Sequence, residues 1–65
     1  MIDTVIVYEL KQNMHLPNGS NEWVRLSSYS YCTTAIADAN KMVELGLAVR
    51  EDLAIQQITY QQVEF

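Results

Sequence analysis

The segment Ile2-Asp3-Thr4-Val5-Ile6-Val7-Tyr8-Glu9-Leu10-Lys11 reads as a strand in the middle of a sheet. Ile2, Thr4, Ile6, Tyr8 and Leu10 fall on one face, and Val5, Val7, Glu9 and Lys11 on the other, because successive side chains of a strand point to opposite sides. Val5 and Val7 make the second face apolar in its centre as well. A strand apolar on both sides belongs between two others, so residues 2–11 are expected to be central.

Working outward, residues 12–21 collect Gln12, Asn13, Pro17, Asn18, Gly19, Ser20 and Asn21 and read as a long hairpin loop. Pro17 presets φ and Gly19 tolerates φ > 0, which suits a turn at Pro17-Asn18-Gly19. A second strand follows over 22–28, with Val24 and Leu26 pointing one way and Trp23 and Arg25 the other. Ser30 is placed to cap a helix over 31–45, whose apolar stripe is Cys32, Ala35, Ile36, Ala39, Met42 and Val43. Ala35 and Ala39 let that helix sit close to a sheet. Gly46 suits the left-handed residue that closes the helix, with Leu47 packing back over the last turn. Residues 47–53 read either as a link or as a short second helix. Strand periodicity then returns over 54–63, with a slip in phase near Gln56-Gln57 that predicts a bulge.

The order strand, strand, helix, strand predicts a small α+β domain of ββαβ type. A right-handed crossover places the third strand beside the first, parallel to the second, giving a three-stranded sheet of order 2-1-3 with one helix packed on one face. One helix leaves the other sheet face without cover.

Composition narrows the function. At 65 residues the chain is one domain, and a domain of this size buries only about 60% of the surface its unfolded chain exposes. Chains this small commonly rely on a staple. A lone cysteine closes no intrachain disulfide, and one histidine with one cysteine does not supply a four-ligand zinc site. Association with another chain is the staple left. Apolar residues make up 49% and charged residues 18%, too apolar for intrinsic disorder. The net charge of −4, with Lys11, Arg25, Lys41 and Arg50 scattered, argues against direct nucleic-acid binding, which needs clustered cations. The start of the chain shows no leader and no apolar run long enough to span a membrane, so a cytoplasmic location is expected.

No catalytic, metal or cofactor constellation stands out. Cys32 with His15 as a nucleophile and base is outweighed by Cys32 as a small core residue and His15 as a loop residue. Adjacent Glu51 and Asp52 diverge from one another and suit a solvated turn. Asn18-Gly19-Ser20 is a single-glycine turn, not a phosphate cradle. Eight acids are too sparse to imitate the phosphates of a duplex.

The remaining signal is adhesive surface. Trp23, Arg25, Tyr29, Tyr60 and Phe65 are candidates for a partner-binding surface, since Tyr, Trp and Arg recur as interface anchors. Met14 and Leu16 add apolar groups near the hairpin tip. The segment 56–65 has strand propensity, one charge and no proline, and an edge of that kind invites pairing with another chain. The expectation is a non-enzymatic protein-interaction module without cofactors, binding a protein through an open sheet face and an edge strand. In layout, size and acidity it resembles the small inhibitors encoded by bacteriophages, which bind and block host enzymes or defence complexes. The resemblance is one of architecture, with no motif behind it, and it carries no residues over. A structural subunit forming a homodimer or larger homo-oligomer through the same surface is the alternative.

Overall fold

The structure, a computed structural model, describes residues 2–63, and the side chains from 3 to 62. Three strands, β1 (Ile2–His15), β2 (Asn21–Tyr29) and β3 (Leu53–Val63), and one helix, α1 (Cys32–Glu44), form an α+β domain of ββαβ type. A single 3-10 turn at Arg50–Asp52 leads into β3. The sheet order is β2-β1-β3, both neighbours running antiparallel to β1.

β1 is longer than its alternation predicts. It continues through Gln12-Asn13-Met14 to His15, because each of these residues finds a partner in β2, from Gln12 opposite Val24 to His15 opposite Asn21. The loop accordingly shrinks to 16–20. Within it the Leu16 carbonyl accepts from the Gly19 N–H at 3.0 Å, and Gly19 takes φ +86°, the conformation expected of a glycine after Pro17-Asn18.

Among the described side chains, even-numbered residues of β1 lie on the sheet face that carries α1, as Tyr8 does opposite Tyr29, which bonds Asp38 of the helix. Leu10 and Ala35 meet there at 1% and 0% exposure, and among the described residues they are the only fully buried apolar ones. Cys32, Ala39, Met42 and Val43 of the predicted stripe are half-buried, while Ile36 remains exposed. The helix begins one residue later than expected. Tyr31 is the N-cap, its backbone extended at φ −126° and ψ 134°, with no side-chain cap, so Ser30 stands one position too early to serve. At the other end the Gly46 N–H donates to Val43 and the Leu47 N–H to Met42, at 3.1 and 2.9 Å, which is the Schellman closure. Gly46 has φ +72° as that closure requires. The Leu47 side chain does not pack back; it is exposed.

The bulge lies elsewhere than predicted. β3 pairs with β1 without interruption from Leu53 to Val63, so Gln56-Gln57 holds none. The irregularity is between β1 and β2, where Leu10 faces Ser27 but Lys11 faces Arg25, leaving Leu26 as the extra residue. The two neighbours are also staggered along β1: β2 reaches only to Tyr8, whereas β3 pairs along Ile2–Gln12.

The result is a thin plate of 46 × 28 × 13 Å. Fourteen residues of β1, at about 3.3 Å each, account for its length. The radius of gyration is 14.6 Å, against about 11 Å for a compact chain of this length.

Candidate interaction face

The face of the sheet opposite α1 carries the odd-numbered residues of β1. Glu9 occupies its centre and is 7% exposed, the one buried charged group among the described residues. Strands place its partners. Arg25, opposite Lys11 in β2, donates from Nη1 to Glu9 Oε2 at 3.3 Å. Lys11 Nζ stands 3.9 Å from Glu9 Oε1 and donates to Gln56 of β3. A polar chain, Arg25 to Glu9 to Lys11 to Gln56, thus crosses all three strands. Each carboxylate oxygen of Glu9 faces a cation, which offsets the cost of withdrawing the charge from water.

Aromatic and aliphatic groups flank this chain. On one side, toward the hairpin, Trp23 is 49% exposed and lies opposite Asn13, whose Oδ1 is buried without a hydrogen-bond partner. On the other side Tyr60, also 49% exposed, lies opposite Val5, and half-buried Ile58 lies opposite Val7. Trp23, Arg25 and Tyr60 of the predicted set therefore share one surface.

Tyr29 does not belong to it. Simple alternation puts residues 23, 25, 27 and 29 on one side, but the extra residue Leu26 reverses the phase of β2. Ser27 and Tyr29 then pair with Leu10 and Tyr8 on the helix side, and the Tyr29 hydroxyl donates to Asp38 of α1 at 2.7 Å. That bond, with some desolvation, holds the Tyr29 pKa above its ordinary 10.0. Met14, paired with Glu22, also alternates onto the helix side, beyond the helix, and stays exposed. Leu16 stays exposed in the loop. Phe65 lies outside the described residues.

Sequence reading overlooked Glu9 and Lys11 as parts of this surface. Their signal was present: two opposite charges two residues apart on the same face of a central strand. Also overlooked was the clasp at the hairpin end. His15 Nε2 lies 2.9 Å from Asp52 Oδ1 and its Nδ1 lies 2.8 Å from Asn21 Oδ1. Both ring nitrogens face oxygen acceptors. The bond to Asp52, then the bond to Asn21 and the Asp52 charge, raise the His15 pKa above its ordinary 6.5. Asp52 is thus a clasp residue, and the Glu51-Asp52 pair occupies the 3-10 turn.

His15 and Cys32 are not brought together. His15 ends β1, while α1 starts just past Tyr29, opposite Tyr8; seven residues of strand separate the two levels, about 23 Å. Among the described residues no three His, Cys, Asp or Glu side chains gather as metal ligands. The groove between α1 and β3, lined by Ile36, Ala39, Val43, Leu53 and Ile55 with Arg50 beside them, measures about 190 Å³. Small-molecule pockets run to about 300–1,000 Å³. Among the described residues no helix is long and apolar enough to cross a membrane. No family model, curated protein or solved structure matches this chain.

Proposed function

We propose that this chain is a small acidic protein-interaction module whose uncovered sheet face seats a protein partner. The observation that carries the reading is that face: Trp23 and Tyr60 stand half-exposed on either side of a centre where Glu9 is already neutralised by Arg25 and Lys11. Apolar anchors around a satisfied polar centre bind without stranding a buried charge.

Surface area supports the same reading. The chain exposes 5086 Å², whereas a compact monomer of 7.5 kDa exposes about 4,200 Å². The excess is close to the roughly 800 Å² that each partner contributes to an ordinary stable interface. The mode of action that best suits so small a module is occupation of a surface on a larger complex, as an accessory or inhibitor protein of the bacteriophage kind acts.

Affinity capture with mass spectrometry tests the reading, comparing the native chain with Trp23→Ala and Tyr60→Ala in lysate of the source organism or its host. Both variants are expected to lose the same captured protein while their thermal unfolding stays within a few degrees of native. Retention of that protein by both variants rejects the assignment of the face. Capture of nothing, together with a homo-oligomer that hides Trp23, favours an assembly subunit whose open faces pair with each other.

A further inference from the structure

The stagger of the sheet leaves a second unfilled position, on the inner strand itself. β3 pairs with β1 down to Ile2, opposite Val63, but the last β2 partner is Tyr29, opposite Tyr8. Residues 2–7 are therefore hydrogen-bonded on one side only, over about 20 Å at strand spacing. Along this stretch the backbone N–H and C=O groups that point away from β3 form a ledge in line with β2. The helix does not shelter it: Val5 on the open face and Ile6 on the helix face are both exposed. This half of the domain is a two-stranded ribbon bare on both sides, and such a ribbon is marginal in water until a third strand joins it.

We propose that a second copy of this chain supplies that strand, its β1 lying antiparallel on the ledge, and that Thr4 pairs with Thr4. Register follows from symmetry. A two-fold axis normal to the sheet keeps like faces on the same side, so opposed residue numbers must add to an even sum. Pairing Val5 with Val5 sets Ile2 against Tyr8 of the second copy, a place already held by that copy's Tyr29. Pairing Thr4 with Thr4 sets Ile2 against Ile6 and Asp3 against Val5, clear of the obstruction.

Chemistry suits a self-pairing. Thr4-Val5-Ile6-Val7 carries no charge and is entirely β-branched, and opposed threonines form a favourable cross-strand pair. The outer edges suit it less. β2 is broken by its bulge and carries Glu22 and Arg25, and β3 carries Gln56, Gln57, Gln61 and Gln62 with nothing to stop it sliding. The product is a continuous six-stranded sheet presenting two open faces on the same side. It rests on strand register and goes beyond the partner reading, whose test uses Trp23 and Tyr60 on a different surface.

One like-charge contact results: the two Asp3 residues become diagonal neighbours, about 7–8 Å apart. Asp3→Asn is therefore expected to tighten self-association severalfold at low salt and to do little at high salt.

Cysteine scanning tests the register, since Cys32 is the one native thiol. In a Cys32→Ser background, Thr4→Cys is expected to form a disulfide-linked dimer at least tenfold faster than Ile6→Cys or Tyr60→Cys under mild oxidation. In the unaltered chain, raising concentration is expected to slow amide exchange on the unpaired side of residues 3–6, which keeps the question answerable if a cysteine variant fails to fold. A monomer at sedimentation equilibrium up to millimolar concentration overturns the proposal. So does equal cross-linking at all three positions, or fastest cross-linking at Tyr60.

Discussion

Arg25 reaches back across the β1–β2 boundary to Glu9 at 3.3 Å, two levels along from its own register partner Lys11 in the strand numbering of β1. The arrangement lets a carboxylate sit almost fully covered on a sheet face that no other element covers. Arg25 does this while largely exposed itself, with 63% of its side chain open against 9% for Glu9.

Removing the cation exposes the asymmetry of that pair. Arg25→Ala leaves Glu9 buried with only Lys11 at 3.9 Å, and is expected to cost about 1 kcal/mol, tempered by the exposure of the lost guanidinium. In a domain this small that lowers Tm by about 4–8 °C. Glu9→Gln, which removes the buried charge and keeps an acceptor, is expected to cost less. Thermal melts of the two variants at one salt concentration check the order.

The start of α1 has no side-chain cap and no acidic residue in its first turn. Tyr31→Asp places an acceptor at the N-cap and a negative charge at the positive end of the helix, and is expected to stabilise by about 1 kcal/mol. Ser30→Ala, one residue earlier, is expected to change stability by less than about 0.5 kcal/mol. Denaturant midpoints of both variants distinguish a cap at 31 from one at 30.

Gly46 stands at φ +72° with open space where a Cβ would lie. Gly46→Ala therefore meets no neighbour, and its cost is that of the left-handed backbone alone, about 1–2 kcal/mol. Urea unfolding is expected to show a lower midpoint at unchanged slope.

His15 titrates above 6.5 because Asp52 and Asn21 favour its protonated form. A folded-state pKa raised over the unfolded value means that the contribution to stability is full below pH 6.5 and fades as pH rises through the folded pKa. Since the imidazole is largely exposed to water, the effect on Tm is expected to be slight. Asp52→Asn is expected to return the His15 pKa toward its ordinary value. NMR titration of the imidazole in the two proteins checks this, and an unchanged pKa in the variant disproves the clasp.

Much of the fold was legible because it is written in short-range spacing. Both apolar faces of Val5 to Val7 marked the central strand, the Cys32 to Val43 stripe marked the helix, and Gly46 marked its end. Less of the interaction face was legible. Trp23 and Arg25 came out together on the open side, but Tyr29 was misplaced because a bulge opposite Leu10 and Lys11 turned it toward Asp38.

By itself the sequence determined the order of strands and helix, and that one helix cannot shelter both sides of three strands, since these follow from relations between residues two to four apart; that β1 runs on through His15 depended on its pairing with β2. Tertiary structure alone decided the phase of β2, the covering of Glu9, the clasp of His15 on Asp52, and the stagger that leaves residues 2–7 half-paired. Those depend on register, which is set by partners distant in the chain, and a shift of one residue carries a side chain to the opposite face.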